Sequence, residues 1–171
     1  MKTLYLLRHA KAEPGSKELG DRDRPLSVRG REACGLIGIY IKTKGYKPSL
    51  IISSPAARTR ETVERVVKAA DINPLQQYID KLYLATADEI LHYVRLVNDT
   101  LPSVMVVGHN PGMHHAALVL AQAERSALRM GLELKYPTAT LSVLQFDCEY
   151  WHELDMGAGR LIDFIMPGQL N

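Results

Sequence analysis

The stretch Ser103-Val104-Met105-Val106-Val107-Gly108-His109-Asn110-Pro111 decides the fold class. Residues 103–108 form the most apolar strand-like run in the chain. Asn110-Pro111 then supplies a helix cap followed by a proline suited to a first turn, so a helix is expected to about Gln122. A short apolar strand leading straight into a capped helix is the unit of an α/β layer fold.

The same unit recurs upstream. Leu50–Ser53 reads as a strand, and Ser54-Pro55 repeats the cap-plus-proline device for a helix to about Ala70, with Val63, Val66 and Val67 inward. Thr3–Leu7 reads as the first strand and 8–24 as a polar loop. Ser27 caps a helix over 28–44 with Gly45 as its stop. Gly30, Gly35 and Gly38 weaken that helix unless close packing requires them. A short edge strand is expected around Gln76–Ile79. Thr86-Ala87-Asp88-Glu89 fits a capping box opening a helix with Ile90, Val94 and Val97 on one face. Thr140–Phe146 and Glu149–Leu154 read as a closing pair of strands, followed by a turn at 157–159 and a tail containing Leu161–Ile165. The expected architecture is a three-layer α/β/α sandwich with a mostly parallel central sheet, one domain spanning 1–171.

Composition excludes several classes. Hydrophobic types make up 46% and charged types 23% of 171 residues, so neither a disordered nor a fibrous chain is indicated. Lys and Arg number 21 against 19 Asp and Glu, and a net charge of +2 does not mark a nucleic-acid binder. Cys34 and Cys148 are too few and too far apart for a disulfide framework, and no CxxC pair is present, so reduced core thiols are expected. Ala10-Lys11-Ala12 mimics a cleavage site, but Arg8 and His9 interrupt the apolar Leu4–Leu7 run after four residues. No run reaches the roughly 20 apolar residues of a membrane span. The expectation is a cytoplasmic protein with no membrane or nucleic-acid partner.

In open α/β sheets, ligands bind where strand carboxyl ends meet. Arg8-His9 follows the first strand, Arg58 lies one turn into the helix after the second, and His109 ends the apolar fourth. Taken singly, each has a plainer explanation: polar residues ending a strand, a solvated helix face, a satisfied strand-end histidine. Together they deliver two arginines and two histidines to one place. Arginine's planar fork matches phosphate oxygens, and a neutral histidine can attack phosphorus. Nearby positive charge favours that neutral form.

These residues carry a resemblance. Leu7-Arg8-His9-Ala10-Lys11-Ala12 resembles the arginine–histidine signature of the histidine phosphatase superfamily, with Ala10 in place of the commoner glycine. Residues 53–62, Ser-Ser-Pro-Ala-Ala-Arg-Thr-Arg-Glu-Thr, resemble its second motif, and Val106–Pro111 its third. Asp23-Arg24-Pro25-Leu26-Ser27-Val28-Arg29-Gly30 is similar to a stretch of the compact SixA-type branch, the phosphohistidine phosphatases. The resemblance implies a phosphoglycerate mutase-like fold and a metal-independent phosphatase with no cofactor. It also implies that His9 is transiently phosphorylated while Arg8, Arg58 and His109 bind the phosphoryl oxygens. Phosphohistidine on a protein is the expected substrate. A phosphomonoesterase for a small phosphoester, or a phosphate-recognising regulatory module without turnover, are the alternatives.

One family element departs. Larger members carry a glutamate proton donor after the third strand, where Ile79-Asp80-Lys81-Leu82-Tyr83 places Lys81, with Asp80 adjacent. An alkoxide leaving group needs such a proton, whereas the imidazole of a phosphoramidate takes one from solvent. The departure favours phosphohistidine. The short chain also leaves little room for a lid, so an open, shallow pocket is expected.

Three further signals have bland readings. His114 and His115 point to different helix faces and hold no metal with His109, serving at most as pocket-rim contacts. Arg22, Arg24, Arg29 and Arg31 read as a solvated loop and helix start, with a docking patch for an acidic phosphoprotein as the functional alternative. Gly157-Ala158-Gly159 lacks the setting of a phosphate-binding loop.

Overall fold

A computed structural model describes residues 1–171. Strands β1 (Lys2–Arg8), β2 (Leu50–Ser53), β3 (Leu75–Tyr78), β4 (Ser103–Gly108), β5 (Leu141–Phe146) and β6 (Arg160–Ile165) form one sheet in the order β3-β2-β4-β1-β5-β6. The first four are mutually parallel, while β5 and β6 run antiparallel at one side. The helices are α1 (Val28–Lys44), α2 (Ala57–Ala70), α3 (Ala87–Arg95), α4 (Gly112–Leu120) and α5 (Ala127–Leu134).

The period-2 geometry of β1 and β4 divides the core. Leu4, Leu6, Val104 and Val106 face a cluster completed by α3, α4 and α5. Tyr5, Leu7, Met105 and Val107 face the opposite cluster, closed by Cys34, Ile37 and Ile41 of α1 and Val63 and Val66 of α2. The central strands are buried on both faces, as a helix-covered parallel sheet requires. The three-layer, mostly parallel expectation holds. No helix is long and apolar enough to cross a membrane.

Local signals acted as expected in α1, where the Ser27 side chain accepts from the Gly30 N–H and Gly45 closes the helix at φ 72°. Thr86 caps α3 through the Glu89 N–H, although the helix ends before Val97. Gly30 and Gly38 are explained by packing: a Cβ on Gly30 would strike the Lys11 carbonyl, and one on Gly38 would strike Ala69 of α2. Gly35 faces open space.

Four expectations fail. Ser54 does not cap α2; the cap is Ala56, and Ser54 Oγ lies two residues earlier, accepting from the Ala56 N–H at 3.3 Å. The cap of α4 is Pro111 itself, with Asn110 Oδ1 reaching the His114 N–H from one residue earlier. Glu149–Leu154 is not a strand. The Trp151 N–H donates to the Asp99 carboxylate at 2.6 Å, and residues Trp151–Glu153 form a 3-10 turn. The partner of β5 is β6, in what reads from sequence as a tail, and α5 was not expected at all.

Candidate active site

Arg8, His9, Arg58 and His109 meet at the carboxyl ends of β1, β2 and β4, lining an open cavity of about 440 Å³. Backbone bonds set this convergence. The His9 N–H donates to the Gly108 carbonyl at 3.0 Å and the Ser54 N–H to the Val107 carbonyl at 3.1 Å, so three chain segments leave the sheet in register. The Ala10 N–H donates to Thr62 Oγ1 at 3.0 Å, fastening the segment after β1 onto α2.

His9 is 8% exposed, and its Nδ1 lies 2.7 Å from its neighbour's carbonyl, Ala10 O. A carbonyl only accepts, so Nδ1 carries the proton and Nε2 keeps its lone pair. Burial, reinforced by the charges of Arg58, Arg8 and Arg24 and opposed by the Ala10 bond, pulls its pKa down to about 4. The ring is neutral at pH 7, with Nε2 unprotonated.

His109 adopts the opposite tautomer. Arg58 Nη2, which can only donate, sits 3.2 Å from His109 Nδ1, and Ser54 Oγ lies 2.8 Å from Nε2. Nδ1 therefore accepts, and Nε2–H donates to the serine. Burial, with the charges of His9 and Arg58, lowers this pKa to about 3. The two rings lie 5.2 Å apart, centroid to centroid.

Arg58 is 2% exposed, the second residue of α2. Its Nη1 donates to the Asp21 carbonyl at 2.7 Å and its Nη2 to the Asp21 carboxylate at 3.1 Å. Arg24 Nε also binds that carboxylate at 3.1 Å, and the Tyr83 hydroxyl donates to it. Tyr83 and Arg58 hold the Asp21 carboxyl down at about 2. The Tyr83 ring meets His109 edge-on at 5.4 Å. Arg8 Nη1 and Asn110 Nδ2 both donate to the Tyr136 carbonyl, which ties β1 to the segment after β4.

The four sequence-derived candidates are thus brought together. Lys81 is not: it is exposed on a 3-10 turn, and Asp80 faces Arg22 at 3.7 Å, away from this cavity. His114 is held by the Leu132 carbonyl at 2.6 Å and stacks on Tyr136, so it packs rather than rims the cavity. Asp21, Tyr83 and the polar role of Ser54 went unread. The signal for Ser54 was its place right after β2; Asp21 sits in an alternating charged loop that resembles any solvated turn.

Comparison with known proteins places the chain in a family. Residues 4–80 fit the model of the histidine phosphatase superfamily, branch 1. The crystal structure of a candidate phosphohistidine phosphatase SixA from Agrobacterium tumefaciens is 34% identical, covering 98% of this chain and 99% of that one, with a TM-score of 0.81. This chain belongs to the histidine phosphatase superfamily. A second SixA structure, from Nakamurella multipartita, confirms the SixA-type placement at 30% identity and TM-score 0.83, covering 97% and 96% of the two chains. An uncharacterised protein of Mycobacterium tuberculosis is 29% identical over 164 residues, 94% of this chain and 99% of its own. The fold of this SixA-type histidine phosphatase is phosphoglycerate mutase-like.

Proposed function

We propose that this SixA-type histidine phosphatase removes phosphate from phosphohistidine on a cytoplasmic protein, with residues 1–171 acting as one domain and His9 as the nucleophile. His9 Nε2 attacks phosphorus, the P–N bond to the substrate ring breaks, and its electron pair returns to the leaving nitrogen, which takes a proton from solvent. A water then attacks phospho-His9, the Nε2–P bond breaks, and phosphate departs. Arg8, Arg58 and His109 neutralise the equatorial oxygens during both displacements. His109 needs a proton on Nδ1 to donate to the ligand, and a bound phosphoryl dianion favours its uptake.

The observation that carries the choice of substrate is Asp21. It is the acidic side chain lining the cavity, and Tyr83, Arg58 and Arg24 hold it ionised, with its carboxyl at about 2. A carboxylate held this way is a poor proton donor at neutral pH. An alkoxide would leave slowly from such a site, while imidazole, basic only to about pH 6.5, leaves once solvent protonates it.

The test compares wild type with His9→Ala on a phosphohistidine protein and a panel of phosphoesters. Acid-labile phosphate trapped on His9 after brief exposure to substrate, and loss of turnover in the variant, are expected. Activity that survives His9→Ala ends the nucleophile assignment. Strong turnover of sugar phosphates with none on phosphohistidine reassigns the enzyme to small phosphoesters.

A further inference from the structure

Most of the arginines in the stretch 22–31 are paired with acids in the fold. Arg22 pairs with Asp80, Arg24 with Asp21, and Arg31 with Glu61 at 3.0 Å. Arg29 alone makes no ion pair, and it projects from the first turn of α1 into a second cavity of about 600 Å³. Two further cations reach that cavity from distant segments, Lys11 two residues past His9 and Lys135 just after α5. Neither forms a salt bridge, all three are exposed, and no carboxylate lines the groove. Ala33 and the turn around Pro167–Gln169 also line it.

The groove is continuous with the catalytic cavity, because Lys11 and Thr138 line both. A ligand with its phosphoryl group between Arg8 and Arg58 therefore extends naturally past Lys11 toward Arg29 and Lys135. Three uncompensated cations favour carboxylates there. The groove is open and larger than one phosphate needs, which suits a polypeptide segment.

We propose that this groove docks an acidic segment flanking the phosphorylated histidine of a protein substrate, a proposal that rests on the phosphohistidine reading above. Glutamates or aspartates near the phosphohistidine lie against Arg29 and Lys135, and substrates are sorted by charge next to the reacting group.

The test uses the full chain and an R29E/K135E variant, both residues being exposed and outside the catalytic set. Two peptides carry one phosphohistidine each, flanked by glutamates or by lysines, and p-nitrophenyl phosphate serves as a small reporter. Wild type should prefer the glutamate peptide by tenfold or more in kcat/KM. The variant should lose that preference while keeping its rate on p-nitrophenyl phosphate within twofold. Equal use of the two peptides by wild type, or a preference that survives charge reversal, overturns the proposal. The same glutamate peptide with an unmodified histidine, labelled and titrated by fluorescence anisotropy, reads the groove without turnover. If wild type cleaves neither phosphopeptide, the phosphohistidine reading fails, and this titration still decides the groove. Binding weakened at least fivefold by R29E/K135E supports it; undetectable or unchanged binding overturns it.

Discussion

Arg58 donates from both terminal nitrogens to Asp21, to the carbonyl at 2.7 Å and to the carboxylate at 3.1 Å, while the same Nη2 reaches His109. One loop residue thus orients the guanidinium of one motif against the histidine of another. The half-exposed carboxylate contributes little net stability, since a partner open to water is screened. Its effect lies in geometry.

Asp21→Ala is therefore expected to lower kcat about tenfold, equivalent to ~1.4 kcal/mol of transition-state stabilisation, with the melting temperature changed by only a few degrees. Asp21→Asn, which keeps an oxygen acceptor, should recover part of the loss. Steady-state kinetics and thermal denaturation on both variants check this; a large fall in melting temperature with kcat intact would make Asp21 a purely structural residue.

The pH profile has a definite sign. His9 at about 4 must be neutral to attack, so kcat/KM should fall below about pH 4; His109 at about 3 must gain its proton on binding, so kcat/KM should also decline as pH rises toward 8. Stability moves earlier. Between about pH 6.5 and 4 the unfolded chain binds protons that the folded histidines refuse, so stability drops as pH falls, by ~3 kcal/mol for His9 alone. Asp21, whose folded value of about 2 is also depressed, adds a loss in the same direction below about pH 4. Urea denaturation of wild type and His9→Ala at pH 7 and 4.5 should show the steeper dependence in wild type.

Ser54→Ala removes the acceptor for His109 Nε2–H, which lies in the buried wall behind the site. A stranded buried donor costs about 1–3 kcal/mol. The variant should be destabilised by that order, and the His109 ring should lose its fixed tautomer. Chemical denaturation gives the first quantity, and ring nitrogen chemical shifts give the second, with His9 and His109 showing opposite patterns in wild type.

The glycines of α1 should respond oppositely to alanine. Gly35 has open space, so Gly35→Ala is expected to stabilise by up to about 1 kcal/mol through helix propensity. At Gly30 the new methyl would strike the Lys11 carbonyl, which also accepts from the Ser27 N–H at 2.9 Å and its hydroxyl at 3.1 Å. Gly30→Ala should lower the melting temperature and, because Lys11 is two residues from His9, reduce turnover as well.

What was legible followed from local signals. β2 and β4 are short apolar runs, and α1 has a capping serine and a terminating glycine, so their bounds were readable within a residue or two. β6 was hidden because Asp163 sits in it, an acid in a strand that only makes sense once Tyr40 and Tyr46 each donate to its carboxylate at 2.7 Å from the region of α1. Helix α5 has Gly131 inside it and leaves Met130 and Leu134 exposed, which blurs its periodicity, though Ser126 was an available cap. Glu149–Leu154 alternates like a strand, but Asp99 captures its backbone from across the chain. Arg8, His9, Arg58 and His109 were readable because each lies at or soon after the carboxyl end of a strand. Asp21 and Tyr83 act through partners dozens of residues away, and no local pattern records that.

The antiparallel return of β5 and β6 has a practical side. Leu7 pairs with Leu141 and Leu141 with Ile165, so β6 finishes at the rim where the histidines sit, and the turn around Pro167–Gln169 becomes a wall of the cationic groove. Lys2 pairs with Phe146 at the opposite rim. A purification tag or fusion partner following Asn171 would begin beside the groove and crowd whatever enters it, whereas the same addition before Met1 would begin a full strand length away. Assays of large substrates should be built on the amino-terminal fusion.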